Sequence, residues 1–246
     1  MRFSQKGVYM FVEFSYKPLL EDYNKDKTLK LSTIVKLLEN AGNAHSDRAG
    51  DGVLDAVKSQ KVWVLTDWKV KMMEFASYGQ EIKVITWSQT VNQIFNVARD
   101  FEIYADNKLI GQATTRWVIL DLQTGRPCKI EPSLIEKYQP EEKSLFEEKK
   151  LDKIPLAENI TSEIKFKTRK SDFDFNDHVH NLTYIDYAFE ALPQEIAEKN
   201  FHSLRITYKA PITTECEITA SYTNLATQHL VTISTDKLNT QILFEE

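Results

Sequence analysis

The hydrophobic pattern of the chain switches between two periods. Val8-Tyr9-Met10-Phe11-Val12-Glu13-Phe14 is apolar and β-rich and predicts a strand. Over residues 31–50 the apolar positions Leu31, Ile34, Val35, Leu38 and Ala41 recur at the 3.6 spacing of a helix with one buried face. Strand-like runs return at residues 62–75, 80–90, 95–105 and 108–122, with Asp106-Asn107 as a hairpin turn between the last two. A stretch with Pro132, Pro140 and Pro155 interrupts the pattern, and then it starts over. Residues 161–170 read as a strand and residues 171–181 as a polar loop. Tyr184, Ile185, Ala188, Phe189 and Leu192 then mark one face of a second helix, which Pro193 either ends or follows with a further short helix. Strand-like runs at 204–208, 216–224, 228–234 and 241–244 close the chain.

A strand, a long helix and a set of strands therefore occur twice, with no obvious residue-level repeat. Each helix has a broad apolar stripe, which one antiparallel sheet wrapped around one buried helix would satisfy. That is the α+β hotdog fold, and two such units in tandem would imitate a hotdog dimer within one chain. The expected division is residues 1–135 for an N-terminal hotdog, 136–158 for a linker and 159–246 for a C-terminal hotdog. Opposite charges mix over residues 141–153, as in a solvated helix or linker.

Composition narrows the function. With 42% hydrophobic and 27% charged residues the chain is expected to fold as a soluble protein. A net charge of −5 argues against broad nucleic-acid binding. Cys128 and Cys216 are too few for a disulfide scaffold and suit a reducing cytoplasm. The five histidines fall in no metal-ligand spacing, so no metal or cofactor is called for. No signal peptide is read at the start and no membrane span elsewhere, so the expected location is cytoplasmic.

One segment stands out chemically: Ser171-Asp172-Phe173-Asp174-Phe175-Asn176-Asp177-His178-Val179-His180-Asn181, immediately before the second helix. As a capping loop, its Asp and Asn side chains would satisfy the free N–H groups of the helix start. As a site, Asp174, Asn176 and His178 fall at i, i+2 and i+4, on one face of an extended segment. A carboxylate, an amide and an imidazole together can orient water and polarise a carbonyl. The helix start beyond them offers N–H groups to a developing oxyanion.

This segment resembles the acyl-ACP (acyl carrier protein) thioesterases of plants and bacteria, whose C-terminal hotdog carries a pattern close to D-x-N-x-H-V-N-N-x-x-Y-I. Here it reads Asp174 to Ile185, with His180 inside the N-N pair, and Glu190-Ala191-Leu192-Pro193 matches the E-x-x-P that follows. In the first half, Trp63-Val64-Leu65, Thr86-Trp87 and the run from Trp117 to Pro127 resemble further family elements in the same order.

The resemblance implies hydrolysis of the thioester between a fatty acyl chain and the phosphopantetheine arm of ACP, with no cofactor. Asp174, Asn176 and His178 would be the catalytic residues. Asp174 would orient Asn176 or His178, Asn176 would position water or polarise the carbonyl, and His178 would assist proton transfer or hold the substrate. Amides near Val179 and His180 are candidates for the oxyanion hole. The plant enzymes carry an Arg-Glu-Cys run on the next strand, where this chain has Pro211 and Ile212; Glu215-Cys216 lies four residues later. Water attack with Glu215, Asp174 or another carboxylate as base is therefore expected rather than a covalent Cys216 intermediate. The acyl chain would lie in the N-terminal hotdog, with Leu38, Trp63, Trp87 and Trp117 as core or lining. Asn43 and His45 read as polar residues at the end of the first helix, and Glu190 as paired within the sheet–helix layer.

The partner would be an acidic carrier protein. An acidic enzyme docks one by concentrating positive charge locally, and Lys165, Lys167, Arg169 and Lys170 precede the loop. Lys165, Lys167 and Arg169 would share one strand face. The chain is expected as a monomer or homodimer. An acyl-CoA thioesterase of the hotdog class and a non-catalytic acyl-binding hotdog module are the alternatives, with a dehydratase a weaker one.

Overall fold

The computed structural model describes residues 11–55, 60–90, 95–148 and 150–246. Val8 to Met10 of the first expected strand lie outside them. The described chain divides into two compact units, one of residues 1–66 and 70–149, the other of residues 67–69 and 150–246.

In the first unit, β1 (Val12–Tyr16), a 3-10 turn (Leu20–Asp22) and α1 (Leu31–Arg48) precede β2 (Lys61–Met72), β3 (Ile82–Ser88), β4 (Asn96–Ala105) and β5 (Lys108–Asp121). The strands lie in the order β1-β3-β4-β5-β2. The pairs β1–β3, β3–β4 and β4–β5 are antiparallel. Asp106 and Asn107 turn the β4–β5 hairpin with φ of 45° and 68°, left-handed angles that these side chains tolerate. After β5 comes α2 (Pro132–Lys137), across the expected boundary between the first hotdog and the linker.

The second unit repeats the plan. β6 (Ser162–Lys167), a 3-10 turn (Lys170–Asp172), α3 (Thr183–Ala191) and a short α4 (Gln194–Ala197) precede β7 (Ser203–Tyr208), β8 (Glu217–Leu225), β9 (Gln228–Ser234) and β10 (Leu238–Glu245). The order is β7-β10-β9-β8-β6, so each strand has a positional counterpart in the first unit. Pro193 serves both expected roles: α3 ends before it and α4 starts after it.

Each helix buries the face its periodicity marked. Ile34, Val35, Leu38 and Ala41 of α1 are buried, and α1 packs on β1 and β3. Tyr184, Ile185, Ala188 and also Tyr187 of α3 are buried against β8 and β9. Two expectations for polar helix residues fail. Glu190 is exposed rather than paired inside the layer, because it projects from the face of α3 opposite that stripe. His45 is fully buried, because it lies one turn beyond Ala41 on the apolar stripe of α1. There it meets the ring of Tyr138 edge-on (5.2 Å) and faces buried Arg99, whose guanidinium donates to the Gly42 carbonyl and the Ser46 hydroxyl.

Candidate active site

The loop before α3 is built around a buried carboxylate that the motif does not include. Asp172 is only 2% exposed. Its Oδ2 accepts the Arg169 amide N–H (2.7 Å) and the Tyr187 hydroxyl (2.5 Å); its Oδ1 accepts Arg169 Nε (3.0 Å). Its carbonyl accepts the His180 amide (2.8 Å). Burial alone pushes the Asp172 carboxyl up, but the Tyr187 hydroxyl and the Arg169 donors outweigh it and hold the pKa below the usual carboxylate range.

Between these anchor points the chain makes a turn, not the extended run that the i, i+2, i+4 spacing suggested. Asp174 Oδ1 accepts the amides of Asn176 (2.8 Å) and His178 (3.2 Å). The Asp174 amide donates to the His178 carbonyl (2.8 Å), and Asp177 takes a left-handed φ of 57°. An aspartate that binds the backbone two residues on bends the chain at its own position, which an alternation argument does not detect. Asp174 thus gathers Asn176 and His178 through their backbones. Both side chains stay exposed at the loop tip with Phe175, itself 75% exposed.

The expected oxyanion donors are engaged elsewhere. The Val179 amide donates to the Ile212 carbonyl (2.9 Å) and the His180 amide to Asp172. The Leu182 amide turns to His180 Nδ1 (3.3 Å) and the Thr183 amide to the His180 carbonyl (2.9 Å). The Asn181 amide has no hydrogen-bond partner among the described residues.

Glu215 is exposed in the segment before β8 and makes no hydrogen bond to Asp174, Asn176 or His178 among the described residues. The segment flanks the loop at Ile212, three residues earlier. Cys216 is half-buried, its amide and carbonyl both bonded to Thr168, and burial pushes its thiol up.

The basic residues divide into two groups. Lys165 and Lys167 lie on the exposed face of β6, whose Ile164 and Phe166 point inward. Beyond the strand's end at Lys167, Thr168 is buried and Arg169 is exposed in extended backbone, its guanidinium paired with Asp172 (3.0 Å). Lys170 is exposed on the 3-10 turn. In the first unit a cavity of about 220 Å³ is lined by Asp51, Lys61, Trp63, Glu131 and Lys137 among others; no residue of the loop lines it. At its wall Asp51 Oδ2 accepts both Trp63 Nε1 and the Tyr138 hydroxyl, each at 2.7 Å.

The models of the acyl-ACP thioesterase N-terminal and C-terminal domains match residues 11–138 and 157–245. Chloroplastic oleoyl-ACP thioesterase 1 of Arabidopsis thaliana is 30% identical over 203 residues, covering 75% of this chain and 55% of the relative. A chloroplastic palmitoyl-ACP thioesterase of the same plant is 27% identical, covering 85% and 53%. The chain thus spans about half the length of the curated relatives it matches. Among solved structures, the 12:0-ACP thioesterase of Umbellularia californica superposes with a TM-score of 0.84 at 18% identity, covering 99% of this chain and 98% of the other. An acyl-ACP thioesterase of Bacteroides thetaiotaomicron gives 0.84 and 18%, covering 96% and 97%. These likenesses establish the tandem hotdog fold.

Proposed function

The chain belongs to the acyl-ACP thioesterase family, and on that footing we propose that it hydrolyses fatty acyl-ACP to free fatty acid and holo-ACP. The observation that carries the reading is Asp174 drawing the amides of Asn176 and His178 onto one carboxylate oxygen. A carboxylate, an amide and an imidazole then share one short turn at the entrance to a helix. The exposure of Asn176 and His178 leaves both within reach of a substrate arm.

In this reading water adds to the thioester carbonyl, a C–O bond forms and the C–S bond breaks. The proton lost by the water reaches a base, and the departing sulfur takes one up. Asn176 holds the water or the carbonyl oxygen, and His178 relays the proton. Asp174 acts through the backbone, fixing where the other two stand. The Asn181 amide is the donor we assign to the oxyanion, in place of the engaged amides of Val179 and His180. Of the carboxylates open as base, we take Glu215, carried by the segment whose Ile212 flanks the loop. Residues 1–135 are read as the hotdog that takes the acyl chain and residues 159–246 as the catalytic one, joined by a linker at 136–158. Lys165, Lys167 and Lys170 are read as the docking charges for the carrier, in fatty acid biosynthesis in the cytoplasm. No helix among the described residues is long and apolar enough to cross a membrane.

The test is thiol release from acyl-ACP and from acyl-CoA by purified protein. His178→Ala and Asn176→Ala are each expected to lower kcat by roughly 10²- to 10⁴-fold, the range of a positioned acid–base group, with the folded state kept. Near-normal rates in both variants would move the chemistry elsewhere. A kcat/KM higher on acyl-CoA than on acyl-ACP would change the substrate class.

A further inference from the structure

The hydrolytic loop has a counterpart 150 residues earlier that lacks its imidazole. In the first unit the 3-10 turn Leu20–Asp22 takes the place of Lys170–Asp172. The bridge Tyr23–Leu29 takes the place of Phe173–Val179. Lys27, with φ of 68°, takes the place of Asp177. The hydrogen bonds of the frame repeat, while the side-chain turn differs: Asp26 Oδ1 accepts the Thr28 amide (2.9 Å), where in the second loop Asp174 Oδ1 accepts those of Asn176 and His178. Asp22 Oδ2 accepts the Leu19 amide (2.8 Å), as Asp172 accepts that of Arg169. The Asp22 carbonyl accepts the Lys30 amide (2.9 Å), as that of Asp172 accepts His180. The Asn24 amide donates to the Thr28 carbonyl (2.8 Å), as that of Asp174 donates to His178. At the three chemical positions, however, the first loop has Asn24, Asp26 and Thr28.

The buried aspartate also takes a tyrosine hydroxyl in both units, from opposite directions. Asp22 receives it from Tyr16, on the strand (2.9 Å). Asp172 receives it from Tyr187, on the helix (2.5 Å). The strand position matching Tyr16 is Phe166 and the helix position matching Tyr187 is Leu37. The bond is present in both units although the residue supplying it differs. The frame is thus separable from the chemistry, and only in the second unit does it shape a loop with an imidazole.

We propose that Asp172, clamped by the Tyr187 hydroxyl, is a positioning residue for hydrolysis. Its carboxylate ties the loop entrance at Arg169 to the helix α3, its main-chain carbonyl ties in the loop exit at His180, and one residue so fixes the turn bearing Asn176 and His178. The inference rests on the hydrolytic reading above. Displacement of a reacting group by about 1 Å is enough to cost on the order of 10² in rate, so a loose frame costs turnover before it costs folding. Burial and the Asp172 carboxylate raise the Tyr187 pKa far above its ordinary value, so the phenol keeps the proton that it donates.

The two units supply a matched control. Tyr187→Phe removes one hydroxyl and leaves the ring against Phe166 (5.1 Å); Tyr16→Phe removes the equivalent hydroxyl from the loop that has no imidazole. Tyr187→Phe is expected to lower kcat on acyl-ACP tenfold or more with KM within twofold. Tyr16→Phe is expected to keep kcat within twofold while losing a similar increment of Tm. Amide exchange at His180 and Asn176 should accelerate in Tyr187→Phe only. If wild type is active and His178→Ala is not, a Tyr187→Phe variant with kcat within twofold of wild type overturns the inference and leaves the hydrolytic reading standing. Equal losses of kcat in both Phe variants, or unchanged exchange in Tyr187→Phe, overturn it as well. A wild-type protein that releases no thiol from acyl-ACP or acyl-CoA ends the hydrolytic reading and this inference with it.

Discussion

His45 shows how far a single side chain can depart from its apparent type. Leu38, Ala41 and His45 are spaced i, i+3 and i+7, so the helical period that predicts a buried Leu38 also predicts a buried His45. At this position the apolar period outweighs the polar type of the residue. Burial first, and the Arg99 and Arg48 charges after it, drive its pKa down to about 2. In the unfolded chain a histidine titrates at about 6.5. As pH falls below that value the unfolded state takes up a proton that the native state refuses, so stability is lost on the acid side. The slope from this residue approaches about 1.4 kcal/mol per pH unit. Denaturant midpoints at pH 5 and pH 7.5 should therefore differ more for wild type than for His45→Phe, which keeps a ring beside Tyr138 and cannot be protonated. Equal differences would place the acid sensitivity at other groups.

Among elements, the strands and helices were legible and the turns unevenly so. Asp106-Asn107 was readable because its geometry is local: two residues tolerant of positive φ between two apolar runs. The polar loop was not, because side-chain oxygens bonding backward onto the chain decide its course. The duplicated loop was hidden for a different reason. Between residues 12–33 and 162–183 only Glu13, Lys17, Asp22 and Thr33 recur at the 150-residue offset, and the pattern becomes visible only through main-chain bonds. Asp172 was missed as a functional residue for the same reason, although the match of Asp22 to Asp172 was a signal in the sequence. A β-bulge gives the element scale its own prediction. Ile103 pairs with Gly111 and Tyr104 with Leu109, which leaves Ile110 as the extra residue of β5. Its carbonyl accepts the amides of Met73 (2.8 Å) and Glu74 (3.1 Å), drawing the end of β2 against Gly111. A Cβ at Gly111 would stand 2.7 Å from Met72 Sδ and 3.1 Å from the Lys71 carbonyl oxygen. The thioether can swing aside but the carbonyl cannot, so Gly111→Ala should destabilise by about 1–3 kcal/mol, read as a lower denaturant midpoint at unchanged slope.

For the whole molecule the controlling quantity is charge. A protein of net charge −5 that meets an acidic carrier is repelled at long range unless a local patch reverses the field. The sequence offered four basic residues for that patch, and the structure divides them. Arg169 is committed to Asp172, so reversing its charge would disturb the frame of the loop as well as any docking and would report on neither alone. Lys165 lies 3.8 Å from Glu163 on the exposed face of β6, a pairing that weakens it as a probe. Lys167 and Lys170, both exposed, are the cleaner test. The double variant Lys167→Glu/Lys170→Glu should raise KM for acyl-ACP roughly three- to tenfold with kcat within twofold, as expected for charges that steer association without touching the reacting atoms. The effect should shrink at 0.5 M salt, where screening shortens to a few ångströms. A substrate that lacks the carrier, such as an acyl-pantetheine thioester, should show no change. A KM for acyl-ACP equal to that of wild type at low salt would remove this face from the docking surface.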